Sequence, residues 1–359
     1  MHPSFTKCHN KFKLNGVCFN PIQLKDVPYS FIKEGKPFEK SIGNFLLDWF
    51  DNNDCISVKT SGSTGIQKNI ILKKEEMINS AIATGNYFNL ESGNTALHCL
   101  SSQFIAGKMM LVRAMILGLE LDIVEPALNP LENNTKHYDF CAMVPMQLQN
   151  SLEELHKIKA VIVGGASVSY ALQDKLQDIS CNVYETYGMT ETITHIAVKK
   201  LNNFVDVALS TKERSYFKVL PNISISKDKR DCLVIDAPQL NTETIITNDI
   251  VKLHSKIEFE ILGRFDNTIN SGGIKLFPEQ IEAKLQHKIK QRFFIASEKD
   301  ETLGDKVILV LEGESKQLET GVFEDLDRYE TPKQIYAVSH FKETSTEKIQ
   351  RAEILKLLK

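Results

Sequence analysis

Residues 60–68, Thr60-Ser61-Gly62-Ser63-Thr64-Gly65-Ile66-Gln67-Lys68, bring together hydroxyl side chains, two glycines and a lysine. Glycine lets a backbone turn tightly and brings its N–H groups close to an anion. The hydroxyls and Lys68 add further donors and a positive charge. Together they form the inventory needed to hold a triphosphate tail. This is not the usual P-loop, because G-x-x-x-x-G-K-[ST] is absent and the chain runs on into strand-like Asn69-Ile70-Ile71-Leu72-Lys73-Lys74 instead of a helix. Read alone, the segment is equally a Ser/Gly hairpin turn.

Four further segments carry usable chemistry. In Tyr184-Glu185-Thr186-Tyr187-Gly188-Met189-Thr190-Glu191 a tyrosine face can stack on a purine, a threonine hydroxyl can meet a phosphate, and Glu191 can hold Mg²⁺ through oxygen. Half-buried packing for the tyrosine and a solvated helix start for Glu191 are the plainer alternatives. In Thr247-Asn248-Asp249 the carboxylate can accept both hydroxyls of a ribose; an isolated Asn-Asp pair also makes an Asx turn. Gly263-Arg264-Phe265-Asp266 leads into Asn270-Ser271-Gly272-Gly273-Ile274-Lys275-Leu276-Phe277-Pro278-Glu279-Gln280-Ile281-Glu282. There Pro278 and the glutamates suit a helix start, and Gly272-Gly273 leaves backbone open to a close ligand. The last is Thr344-Ser345-Thr346-Glu347-Lys348-Ile349-Gln350-Arg351, whose Lys348 in isolation reads as a solvated side chain.

The elements that must position these residues alternate. Strand-like Cys55–Thr60 and Asn69–Lys74 flank the first segment, and Met77, Ile78, Ala81, Ile82 and Phe88 mark one face of a helix over 75–90. Strand-like ALHCL, a helix over 107–117, strand-like LELDIV and DFCAMV, a helical MQLQNSLEELHK, strand-like KAVIVGG, a helix through Gln173 and NVYETYG follow. This alternation predicts an α/β layered sheet, and a strand end at its carboxyl edge is where a ligand sits. From 201 to 262 the runs become short and β-like: YFKVL, ISIS, CLVID, TIIT and IEFEIL. Beyond Gly263 a helix over 278–290, strands over 292–297 and 306–312, a short helix near 323–328, a strand over 334–339 and a final helix form a small α+β unit. A boundary near Arg264–Asp266 gives two domains, 1–265 and 266–359.

Composition bounds the function. With 359 residues the chain is long enough for two domains, and 42% hydrophobic with 25% charged residues is a globular balance. A net charge of -3 supplies no field for nucleic acid. The seven cysteines are scattered, odd in number and never in a C-x-x-C pair, as expected of reduced thiols rather than a disulfide framework or a zinc site. The first residues, MHPSFTKCHNKFKLNG, lack the apolar run of a signal peptide, and no stretch approaches the roughly 20 apolar residues of a membrane span. The expectation is a cytoplasmic protein without a membrane span, with a homo-oligomer left open.

Order and joint spacing tie the five segments together. They resemble the core motifs of the acyl-adenylate-forming superfamily of acyl-CoA synthetases, peptide-synthetase adenylation domains and luciferases, over roughly residues 55–359. Ser271-Gly272-Gly273 looks like the CoA-ligase form. The stretch I-N-S-G-G-I-K-L-F-P-E-Q-I-E resembles the o-succinylbenzoate–CoA ligases of menaquinone biosynthesis. So does Leu100-Ser101-Ser102-Gln103-Phe104-Ile105-Ala106-Gly107 through Arg113, although Phe104 stands where those ligases carry histidine. Other departures are Gln67 for proline, Asn248 for glycine and Glu347 for glycine. The region before the phosphate loop is shorter than in most members, which implies a reduced N-terminal subdomain.

The resemblance implies a large N-terminal α/β domain with a β-rich subdomain, which binds ATP and the acid, and a small mobile C-terminal α+β domain hinged at Asp266. It implies ATP, Mg²⁺ and coenzyme A, with a small-molecule carboxylic acid as substrate. ATP or AMP would be held by Thr60, Ser61, Gly62, Ser63, Thr64, Gly65 and Lys68, by Gly164, Gly165 and Ala166, by Tyr187 and Gly188, and by Asp249 and Arg264. Lys348, Thr190 and Glu191 would be catalytic, with Glu191 also holding the metal. Gly107 and Arg113 would bind the acid, and Gly272 and Gly273 would meet CoA. An arginine fork suits a free carboxylate, whereas a solvent-facing Arg113 capping an apolar helix is the alternative. Three other functions stay open: the same fold acting on another aryl or short-chain acid or on a carrier protein, a P-loop kinase or ATPase releasing ADP, and a non-catalytic nucleotide-binding protein.

Overall fold

A computed structural model describes residues 8–19, 23–59, 69–204, 216–314, 318, 321–343 and 349–358. In chain order the strands are β1 (Lys13–Leu14), β2 (Val17–Cys18), β3 (Cys55–Lys59), β4 (Asn69–Lys73), β5 (Thr95–His98), β6 (Glu120–Ile123), β7 (Tyr138–Met143), β8 (Ile158–Val163), β9 (Asn182–Gly188) and β10 (His195–Lys200). They continue with β11 (Phe217–Val219), β12 (Ser224–Lys227), β13 (Cys232–Asp236), β14 (Ile245–Leu253), β15 (Glu258–Arg264), β16 (Ile269–Ser271), β17 (Ile274–Leu276), β18 (Phe293–Asp300), β19 (Gly304–Glu312) and β20 (Gln334–Val338). The helices are α1 (Gln23–Glu34), α2 (Pro37–Phe50), α3 (Lys74–Phe88), α4 (Ile105–Leu117), α5 (Pro145–Asn150), α6 (Tyr170–Leu176), α7 (Pro278–Leu285) and α8 (Arg351–Leu355).

Strands β1, β6, β5, β7, β8 and β9 pair in parallel, in that spatial order. Both faces of this region are covered, which is why its strands read as continuous apolar runs. Phe140, Ala142 and Ile162 point to one cluster with Trp49, Met77 and Met110. Their neighbours Cys141, Met143, Val161 and Val163 point to another with Leu148, Leu172 and Leu176. Helix α4 is buried nearly all round, from Met109 through Ile116, as a helix without a polar face must be. Gly107 lets it start close to the preceding turn: a Cβ there would stand 2.3 Å from the Ser101 carbonyl oxygen.

At β9 the sheet changes character. β10 turns back antiparallel, and β11, β15, β14, β13 and β12 extend an antiparallel wing. The phosphate-loop residues Thr60–Lys68 lie outside the described residues. The strands on either side of them, β3 and β4, pair antiparallel with Lys59 opposite Asn69.

The large sheet ends at Arg264, and a second sheet starts at Ile269, in the order β17-β16-β19-β18 with β20 beside β19. The second sheet has its own core around Ile281, Leu285, Leu309 and Leu311 on one face and Phe294, Phe341 and Ile354 on the other.

Three helix expectations need correction. The predicted 278–290 helix ends at Leu285; residues 286–288 continue only as a turn, which lets Ile289 drop into the second core. The segment near 323–328 is a pair of turns, whose Val322, Phe323 and Leu326 pack on that core without a helical ladder. MQLQNSLEELHK is helical only to Asn150; the Ser151 hydroxyl donates to the Asn129 side chain, and a 3-10 turn resumes at Leu155–Lys157.

Candidate active site

The carboxyl ends of β8 and β9 stand side by side, with Val163 opposite Glu185. Gly164 follows β8, and a Cβ on it would lie 2.6 Å from the Thr186 hydroxyl, which donates to the Val163 carbonyl at 3.0 Å. Gly165 has φ +89°, the region glycine takes without strain. The loop through Ala166 is tied down by buried Glu185, which accepts the Val168 N–H at 3.0 Å and pairs with Lys199 at 2.5 Å. Gly164, Gly165 and Ala166 thus form an open shelf beside the end of β9.

Residues 189–194 connect β9 to β10 and carry Thr190 and Glu191 on a 3-10 turn. The Thr192 hydroxyl donates to the Met189 and Thr194 carbonyls and accepts the Met189 N–H. Ile193 sits at φ 63°, ψ -56°, and the Thr194 N–H reaches the Thr192 carbonyl at 2.6 Å, a γ-turn of the rare hand. A β-branched residue there is strained by about 1–3 kcal/mol, and such strain concentrates at functional sites. The buried Ile193 side chain holds the turn in place and leaves Glu191 exposed.

Tyr187, Asp249 and Arg264 converge. Asp249 and Arg264 face each other across β14 and β15, and the Arg264 Nη1 donates to Asp249 Oδ1 at 2.9 Å. The Tyr187 hydroxyl donates to Asp249 Oδ2 at 2.6 Å, and burial, with the Asp249 charge next, pushes its pKa up. The Tyr187 ring packs edge-on against Phe259 and tilted against Phe217. It is therefore more enclosed than the purine-stacking expectation supposes. The Thr247 hydroxyl accepts the Asp249 N–H and so orients the carboxylate.

Arg113 is not a solvent-facing cap. It is 1% exposed, and its hydrogen-bond partners among the described residues are neutral: Thr84 Oγ1 at 3.4 Å, Met110 Sδ at 3.6 Å and Thr194 Oγ1 at 3.0 Å. Burial draws its pKa down to about 10. Buried His195 lies between the same two threonines, with Nε2 3.5 Å from Thr84 Oγ1 and Nδ1 3.3 Å from Thr194 Oγ1. Burial first and Arg113 second lower its pKa well below 6.5, so it stays neutral. The structure thus places a buried cation, with no carboxylate partner among the described residues, against the same connection that carries Thr190 and Glu191. Sequence reasoning missed Thr84, Thr194 and His195. The signal for Thr84 was available: it falls seven residues after Met77 and three after Ala81, a polar residue on the buried stripe of α3.

Gly272 and Gly273 both have positive φ, 57° and 83°, at the exposed β16–β17 hairpin turn. Asp266 follows β15 in a 3-10 turn and is exposed. Lys348 lies outside the described residues. Among the described residues no group of three histidine, cysteine, aspartate or glutamate side chains forms a metal cage. A single exposed carboxylate such as Glu191 fits Mg²⁺, which is usually held by one or two carboxylates together with substrate phosphates. No helix among the described residues is long and apolar enough to cross a membrane.

A glycine shelf and a Thr-Glu turn at the carboxyl edge of the parallel strands, with an Asp–Arg pair on the antiparallel wing beside them, are the groups of a nucleotide-handling α/β enzyme. The chain belongs to the AMP-binding enzyme family, whose model matches residues 36–226, more than half of it. Among its relatives is a protein named 2-succinylbenzoate–CoA ligase from Staphylococcus aureus, 26% identical over 95% of this chain and 74% of that one. Another of the same name, from Haemophilus influenzae, is 24% identical over 70% of this chain; the match spans only 58% of that relative's length. Among solved structures, an acyl-CoA synthetase (AMP-forming)/AMP-acid ligase II-like protein from Dyadobacter fermentans is 35% identical, with TM-score 0.61, covering 93% of this chain and 98% of that one. The O-succinylbenzoate coenzyme A synthetase (MenE) of Bacillus subtilis, solved with ATP and magnesium, shares the fold at TM-score 0.71 and 19% identity, over 83% of this chain and 69% of that one.

Proposed function

We propose that the protein activates o-succinylbenzoate with ATP and transfers the acyl group to coenzyme A. A carboxylate oxygen of the acid attacks the α-phosphorus, the bond to the bridging oxygen breaks, and acyl-AMP and pyrophosphate form. The CoA thiol then adds to the acyl carbonyl and loses its proton, and AMP leaves with the bond electrons. Both steps depend chiefly on positioning and charge stabilisation.

The observation that carries this reading is Arg113. A buried guanidinium with only neutral partners is costly unless a ligand supplies the opposite charge, and o-succinylbenzoate keeps one carboxylate while the other reacts. Thr194 and neutral His195 add uncharged polar groups around the same point, and Gly107 seats α4 closely enough to present Arg113 there. The names of the relatives agree with this acid and acceptor.

In this reading Gly164, Gly165, Ala166, Tyr187 and Gly188 line the adenine site, and Asp249, kept in place by Arg264, Tyr187 and Thr247, accepts the ribose hydroxyls. Thr60, Ser61, Gly62, Ser63, Thr64, Gly65, Lys68 and Thr190 serve the phosphates. Glu191 would hold Mg²⁺, which neutralises phosphate charge when bound. Residues 266–359 act as a mobile domain hinged at Asp266 that brings Lys348 to the first step and Gly272-Gly273 to the second.

The test is substrate-dependent ATP–pyrophosphate exchange across a panel of aryl and short-chain acids, followed by thioester formation with CoA. Exchange driven best by o-succinylbenzoate supports the assignment. Exchange driven best by an acid lacking a second carboxylate removes Arg113 from its role, and ADP release replaces the whole reading.

A further inference from the structure

Asn248 stands where the family that the chain resembles carries glycine, and neither half-reaction asks for an amide there. The structure gives that amide two charged partners. Its Oδ1 accepts from Arg230 Nη1 at 2.9 Å, and its Nδ2 donates to Asp266 Oδ2 at 3.2 Å. Arg230 is itself fixed: Asp228 Oδ2 takes its Nε at 2.7 Å, Asp228 Oδ1 takes its backbone N–H at 2.8 Å, and its Nη2 reaches the Thr247 carbonyl at 3.1 Å. The guanidinium lies 5.0 Å over the ring of Phe265, the residue just before Asp266. Arg264 completes the set, bound to Asp249 and 3.7 Å from Asp266.

We propose that Asn248 and Arg230 form a latch that holds the hinge Phe265–Asp266 against the Asp249 strand and thereby sets the balance between the two half-reactions. The inference rests on the functional reading above for its kinetic consequence, but not for its structural one. An amide is the side chain that suits the position, since a cation faces its oxygen and a carboxylate faces its nitrogen. Glycine has nothing to bridge them. The contacts are polar and partly exposed, so they can break and re-form within a catalytic cycle, as a hinge between large and small sheets requires. Arg230 and Asn248 touch no reacting atom here; they are positioning residues.

Hydrogen exchange of the amides at 265–268 tests the latch directly in wild type, Asn248→Ala, Arg230→Ala, the double variant and Asn248→Asp. Each alanine variant should raise exchange at the hinge by on the order of tenfold, the worth of one or two hydrogen bonds, while the β14–β15 ladder stays protected. The double variant should exceed the larger single effect only slightly, because both act on one connection. Asn248→Asp, which keeps the volume but sets a like charge beside Asp266, should also loosen the hinge. The ratio of thioester formation from supplied acyl-adenylate to ATP–pyrophosphate exchange should shift by a similar factor. Hinge amides that exchange as in wild type, additive effects in the double variant, or a parallel fall in both half-reactions would overturn the latch. A wild-type protein inactive with every acid would remove the functional reading, and the exchange comparison would still decide the hinge contact.

Discussion

Arg113, which bonds the β9–β10 connection, and Arg264, which ends β15, obey opposite rules. Arg113 is enclosed, bonds only neutral groups among the described residues and has its pKa lowered by burial. Arg264 is partly exposed and pairs directly with a carboxylate. A buried charge left without its counter-charge is kept at a cost to stability, so it marks a place where a ligand completes the site. A half-exposed pair costs little and contributes little, so it can be remade as a hinge moves. In the proposed reading, the contrast separates recognition of the acid from handling of the nucleotide and the domain motion.

The largest effect that sharpens this contrast belongs to a third cation. Lys348→Ala is expected to lower ATP–pyrophosphate exchange by on the order of 10²–10³-fold, as loss of one charge-stabilising donor does. Thioester formation from supplied acyl-adenylate should stay close to wild type. A folded variant that loses both half-reactions equally contradicts the assignment.

Next comes Arg113→Met, which should lower kcat/KM for o-succinylbenzoate by about 2–3 kcal/mol and leave the KM for ATP nearly unchanged. Because the charge it removes is buried with no carboxylate partner among the described residues, Tm should stay level or rise. A marked fall in Tm, measured by calorimetry, would break the comparison by showing that the guanidinium is structural. Asp249→Asn should do the reverse, raising the KM for ATP by about tenfold through weaker acceptance of hydroxyl donors, with little change for the acid.

The last expected effect is read on stability against pH and not on catalysis. His98 is buried, its Nε2 lies 2.9 Å from the Ser102 hydroxyl, and burial lowers its pKa from 6.5 to about 4. The unfolded chain therefore takes up the proton first. The neutral ring's contribution is complete above pH 6.5 and is lost as pH falls toward 4, by up to about 3 kcal/mol. Denaturant unfolding between these pH values should show a shallower slope in His98→Gln; an unchanged slope would assign the acid lability elsewhere.

Much of the architecture was legible because apolar periodicity is local. Cys55–Lys59, Asn69–Lys73, Lys74–Phe88, Ile158–Val163 and Asn182–Gly188 fall where alternation and run length put them. The motif residues Tyr187, Asp249 and Arg264 could also be named from residue type and order. The helix ends at Leu285 and Asn150 could not, since each is set by a distant partner: the second core for Ile289 and Asn129 for Ser151. The strained turn at Ile193 likewise exists only because surrounding packing over-determines it.

Residue order by itself determined the family motifs, the layered sheet and the cation on α4. Only the tertiary structure decided that this cation is buried with Thr84, Thr194 and His195, which come from elements far apart in the chain. It also decided that the Asn248 amide bridges Arg230 to Asp266. Burial and hydrogen-bond partnership depend on which elements pack together, and residues 84, 113 and 194 meet only when α3, α4 and the β9–β10 connection close over one another.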